Sequence, residues 1–307
     1  INYTLAGAQT VFSSPNYKAL NINGGGANIK TLQGDLTVTN NLSVAAATVF
    51  NLGTTASTIN VTGTATINGS LLFSTTTNKS VTINGIITLG AAGVIDMGGN
   101  TDHALYLRGN ANVFTAGGVL TTGVDNQTVY YDGNQAQNIG GFTYNHLSIG
   151  NFNAAAVAAF AKTLLNTTTV NKTLTITGVS AVPTVTLQLA GFGLSVNGST
   201  NINSFGILND NALAGANLFI GPVIVNANGL WTTTNNPLFT FRGGLTNNGT
   251  MSATGTGAYT FNTNAQTIEG GQPITISNLV TTGISLTNRN TLSLTTGTIN
   301  GNGNFTN

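Results

Sequence analysis

Apolar residues in this chain alternate one for one with Thr, Ser and Asn, and the alternation recurs in short bursts along its whole length. It is clearest at Leu36–Val38, Ile59–Val61, Val81–Ile83, Leu174–Ile176, Val185–Leu189, Ile274–Ile276, Ile284–Leu286 and Leu292–Leu294. A period of two puts every second side chain on one face of an extended strand, so each burst predicts a half-buried β-strand. Between the bursts stand pairs that favour positive φ: Asn23-Gly24, Asn68-Gly69, Asn84-Gly85, Asn197-Gly198, Asn228-Gly229, Asn248-Gly249 and Asn300-Gly301. Helix formers are nearly missing, and Glu occurs only at Glu269. The pattern predicts an all-β chain.

Many short strands with frequent turns suit either tandem β-sandwiches or a parallel β-solenoid (β-helix). Three features favour the solenoid. Charged residues make up only 5% of the chain, too few to decorate outward sandwich strands; Trp231 is the single tryptophan; and Asn, Thr and Ser recur as if stacked in ladders. Parallel stacking pairs each strand's backbone with the turns on either side, and aligned Asn side chains add bonds along the axis. The preference of strand crossovers predicts a right-handed coil with roughly 20 to 25 residues per turn.

The text around Gln9 also returns twice. Tyr3-Thr-Leu-Ala-Gly-Ala-Gln9-Thr-Val11 is followed by Tyr130-Tyr-Asp-Gly-Asn-Gln-Ala-Gln137-Asn-Ile139 and by Tyr259-Thr-Phe-Asn-Thr-Asn-Ala-Gln266-Thr-Ile268. Repetition predicts one continuous solenoid over 1–307, with repeats of approximately 1–128 and 129–257 and a partial third over 258–307. The second copy carries extra residues within Asn153 to Leu165, whose alanine-rich middle suits a short helix or an outward loop. In each copy the Gln is expected to bond the backbone of a neighbouring turn. Tyr17 and Tyr144, with Phe12 and Phe142, are expected to pack beside it.

Composition narrows the function classes. A net charge of +1 with eight basic residues leaves no electrostatic footprint for nucleic acid. Hydrophobic residues reach 40%, which argues against disorder. No apolar run approaches the roughly 18 to 20 residues of a membrane span. Cysteine is absent, which excludes disulfides and thiolate metal sites. A near-neutral Thr/Asn surface has weak colloidal repulsion and favours self-association. Neither end reads as a polar cap, so the open sheet edges of the solenoid imply a longer chain, covering segments beyond this sequence, or copies stacked end to end. The expected partner is a second copy added end to end.

One resemblance adds to this reading. Gly7-Ala-Gln-Thr-Val11 leading to Tyr17-Lys-Ala-Leu-Asn-Ile-Asn-Gly24, with its counterpart Gln137-Asn-Ile-Gly-Gly-Phe-Thr-Tyr144-Asn-His-Leu-Ser-Ile-Gly150, resembles the Thr/Asn/Gly-rich repeats of adhesin-like, β-helical surface proteins of Bacteroidota-type bacteria. The third copy departs from it, with Gln272-Pro273 in place of the aromatic. The resemblance implies an extracellular or cell-surface location and a structural or adhesive role, and it supplies no catalytic residues.

The densest polar cluster is Asp96, Asp102, His103 and Arg108. In a β-helix lyase or hydrolase acting on acidic polysaccharide, such a set could bind a cation and abstract a proton. The alternative is a group of solvated turn residues around Gly98-Gly99-Asn100-Thr101, which suits the scarcity of other acids and aromatics nearby. Asp125 and Asp132 read as turn caps. His103 and His146 lack metal-pair spacing, and no Gly-x-Ser-x-Gly occurs. Thr37/Thr39, Thr62/Thr64/Thr66, Thr173/Thr175/Thr177, Thr184/Thr186 and Thr254/Thr256 could present an ice-binding face, but their irregular spacing suits ordinary outward strand positions. The expected function is a structural subunit or stalk of an extracellular fibre, sheath or adhesin, with no catalytic activity, cofactor or metal. The alternatives are a polysaccharide lyase or hydrolase, or an adhesin for a surface glycan or for ice.

Overall fold

The computed structural model describes the chain apart from residues 14–15, 25–27, 56–57, 74–77, 100–101, 124–125, 153–158, 182–183 and 212–214. Its described residues are all-β, with parallel strands stacked as a β-solenoid of about 13 turns. They include no helix long and apolar enough to cross a membrane. The chain divides into two compact units, Ile1–His146 and Leu147–Asn307.

In the first unit a turn is built from three strands, for example Ser80–Ile83, Ile87–Leu89 and Val94–Asp96. Each pairs in parallel with its equivalent one turn on, as Val81 with Leu105, Thr88 with Val113 and Ile95 with Leu120. The inward residue of one turn therefore sits on the inward residue of the next. On the first face this ladder reads Leu36, Ile59, Val81, Leu105 and Val129. The third face carries Phe50, Leu71, Ile95 and Leu120. All nine are buried, and burying such a side chain contributes about 1.5–3 kcal/mol.

The second unit follows the same rule with different filling. One ladder runs Lys162, Leu187, Leu208, Trp231, Met251 and Ile274. Its neighbour runs Val170, Val196, Phe219, Phe241 and Phe261. Trp231 lies 5.5 Å from Phe219 and 5.1 Å from Phe239 by ring centroids, and Phe241 stacks on Phe261 at 4.8 Å. A tryptophan-centred core thus exists inside the solenoid, and the lone tryptophan was no argument against one. Within the second copy's extra segment, Phe160–Leu164 is a strand and not a helix, while residues 153–158 lie outside the described ones.

Corners are tight where turns stack. At Gly69 an added Cβ would meet the carbonyl oxygens of Ala45 and Thr48 at 2.2 and 2.3 Å, so only glycine fits. Asn228 takes φ 61°, as its Asn-Gly pair predicts. The Thr of the Thr-x-Thr pairs all point outward or sit at corners, and none is buried.

Candidate functional site

The sequence-predicted glutamines hold corners. Gln137 is buried, and its Nε2 donates to the carbonyls of Leu107 and Gly109 at 2.7 and 2.8 Å, while its Oε1 accepts from Gly133 N at 3.0 Å. Gln266 repeats the device: Nε2 donates to Phe241 O and Asn262 O at 2.9 and 2.8 Å, and Oε1 accepts from Gly244 N at 3.1 Å. Gln9 differs, because its buried Oε1 has no partner among the described residues. Gln9 pairs with Lys30 on the third face, whereas Gln137 follows the first-face strand Thr128–Tyr131 and opens the second. The 128 positions between them are therefore not a whole number of turns.

What the repeat preserves is a local clamp. The hydroxyls of Tyr3 and Tyr17 lie 3.2 Å apart, and Tyr17 donates to Phe12 O at 2.8 Å. The hydroxyls of Tyr131 and Tyr144 lie 3.0 Å apart, and Tyr144 donates to Gly140 O at 2.7 Å. Burial pushes the Tyr131 phenol up to about 12 and lifts Tyr144 well above its ordinary value. Tyr17 rises to about 12, through burial first and then its bond to Tyr3.

Asp96, Asp102, His103 and Arg108 do not form one catalytic set. Asp96 ends a third-face strand, and its Oδ1 accepts from Gly98 N at 2.8 Å in a short turn. Asp102 N donates to Asn78 Oδ1 at 3.1 Å. His103 is buried: its Nδ1 accepts from Lys79 N at 3.0 Å, and its ring leans on Phe73 at 5.2 Å. Burial pulls the Lys79 ammonium below its ordinary value, against the pull of Asp35. Arg108 lies past the far end of the strand Ala104–Leu107 and grips Asp132, with Nε to Oδ1 and Nη2 to Oδ2 both at 3.1 Å. Asp132, expected as a turn cap, is the ion-pair partner of Arg108; Asp125 lies outside the described residues. Among the described residues no three His, Asp or Glu side chains come together as a metal site.

Asp96 does border a cleft of about 430 Å³ in the first unit, lined among others by Asn51, Gly53, Leu72, Phe73 and Gly98. Thr31, Asn51, Leu72 and Asp96 are register partners along it. Asn51 closes on Gly53 N at 2.8 Å as Asp96 closes on Gly98 N. The cleft can offer one carboxylate, one amide and an apolar floor to a small polar ligand.

Sequence reasoning missed the features that need turn length. Tyr106 and Tyr130 are register partners whose rings stack at 4.4 Å, and Arg108 sits 5.6 Å from the Tyr106 ring centre. Lys30 is inward and buried, its Nζ donating to Leu5 O and Gly7 O at 2.6 Å each. The signal for the tyrosine pair and for Arg108–Asp132 was their shared interval of 24 positions, which equals the Val81–Leu105 step. No protein-family model, curated protein or solved structure matches this chain.

Proposed function

We propose that this chain is a structural subunit or stalk of an extracellular bacterial fibre, sheath or adhesin that acts by self-association, with no catalytic role. One observation carries the reading. Among the described residues, the turns of each unit join by parallel backbone pairing with uncharged outward side chains, as at Thr66–Thr88 and Thr240–Thr260. Pairing of this kind can extend from one copy to another in the same parallel register. The scarcity of charge removes the repulsion that would otherwise keep copies apart. Dispersal of Asp96, His103 and Arg108 over separate positions supports the non-catalytic part.

Negative-stain imaging of purified protein at rising concentration tests the proposal. Filaments with an axial repeat are expected, with the circular dichroism spectrum unchanged as they form. Dispersed particles at every concentration would contradict it. A second reading, an adhesin holding a surface glycan, is favoured by the cleft beside Asp96; under it, glycan binding by dispersed particles should be lost in Asp96→Asn.

A further inference from the structure

We infer that Tyr106 and Tyr130 form an oxidative coupling site, at which a peroxidase using hydrogen peroxide joins two neighbouring turns of the first unit by a carbon–carbon bond. The chain has seven tyrosines, and their surroundings set this pair apart. Tyr131 and Tyr144 are fully buried and meet edge to face at 6.4 Å with planes 79° apart. Tyr259 is buried among phenylalanines, and Tyr17 is buried with its hydroxyl committed to Tyr3 and Phe12. Tyr106 and Tyr130 alone are both half-buried, on adjacent turns, with rings 4.4 Å apart and only 12° from parallel.

Parallel register is what makes the contact persistent. Each ring projects outward from a strand whose backbone is bonded to the other's, so the two phenols meet without loop motion. The Arg108 guanidinium, fixed by Asp132, lies beside the Tyr106 ring. The Arg108–Asp132 pair carries no net charge, and each phenol loses an electron together with its hydroxyl proton to give a neutral phenoxyl radical.

The step balances. Each phenol loses one electron and one hydroxyl proton to the oxidant, and the two phenoxyl radicals join through ortho carbons. Each ortho hydrogen then returns to its own oxygen as a proton, restoring both phenols. Hydrogen peroxide takes up the two electrons and two protons and leaves as two waters, so the protein loses two hydrogen atoms in all. The product is a covalent staple between turns otherwise held by hydrogen bonds, packing and the Arg108–Asp132 ion pair.

Purified chain treated with peroxidase and hydrogen peroxide provides the test, read by dityrosine fluorescence, intact mass and peptide mapping. Expected are a monomer lighter by two hydrogen atoms, a linked peptide containing Tyr106 and Tyr130, and a yield independent of protein concentration. Tyr106→Phe and Tyr130→Phe should each lower the yield by about tenfold or more, whereas Tyr3→Phe should leave it unchanged. A link that maps elsewhere, that forms only between copies, or that survives Tyr106→Phe would overturn the assignment; mapping of the unsubstituted chain decides the matter even if a variant fails to fold.

Discussion

The two units solve the same problem with different chemistry. In the first, corners are fixed by hydroxyls and amides that satisfy one another, as in the Tyr131–Tyr144 pair and the three bonds of Gln137. In the second, Gln266 holds a corner in the same way, but a ladder of rings around Trp231 fills the interior, and Trp231 Nε1 and the Tyr259 hydroxyl are buried without partners among the described residues. Polar satisfaction gives geometry, and aromatic stacking gives area. A parallel solenoid accepts either because each turn presents the same side-chain positions to the next.

This contrast predicts unequal responses to substitution. Trp231→Ala should have the largest effect, a loss of about 3–5 kcal/mol in denaturant unfolding, because it opens a cavity between Phe219 and Phe239. An effect below about 1 kcal/mol would show that the ring ladder is not a unit. Gln137→Ala comes next, at about 2–3 kcal/mol, since it strands the carbonyls of Leu107 and Gly109 and the amide of Gly133 in a buried corner.

Tyrosine hydroxyl deletions should then differ in sign between the units. Tyr131→Phe removes a satisfied hydroxyl that also accepts from Gly140 N, and should cost about 1 kcal/mol. Tyr259→Phe removes an unsatisfied one and should be neutral or stabilising by up to about 1 kcal/mol. Matching signs would erase the distinction. The same phenols set an alkaline limit. Their folded values lie above the ordinary tyrosine value of 10.0, about 12 for Tyr131, so the unfolded chain releases the proton first. The stabilisation is fully present below pH 10 and is lost as pH rises through about 12. Unfolding followed between neutrality and pH 12.5 should steepen above pH 10, and Tyr131→Phe should flatten the curve. Smallest of all, Asp132→Asn should cost about 1 kcal/mol or less, because its pair with Arg108 is partly solvated.

Much of the fold was legible because inward positions repeat a simple period. Leu174, Ile176, Leu292 and the other alternating bursts lie in strands except for Leu189 and Ile284, which fall just outside them, and Gln137 and Gln266 do reach across a corner to carbonyls of the preceding turn. The polar cluster was misread as a neighbourhood because four residues close in sequence cross two corners here, so that Asp96 and Arg108 belong to different faces. Lys30 and Lys162 point inward, against what their charge suggests; Lys30 is accommodated by two carbonyls. Pairs across turns, such as Arg108 with Asp132 and Tyr106 with Tyr130, become visible only once the local turn is known to take 24 residues, and that length changes along the chain.

Parallel register is the claim on which every ladder above rests, and the natural lack of cysteine makes it directly measurable. Paired cysteines at Thr66 and Thr88 in the first unit, and at Thr240 and Thr260 in the second, occupy outward register positions on adjacent turns. Mild oxidation should close a disulfide in both double variants and leave Thr66→Cys/Thr82→Cys open. Failure of both register pairs to close, with the solenoid's circular dichroism intact, would contradict the stacked arrangement.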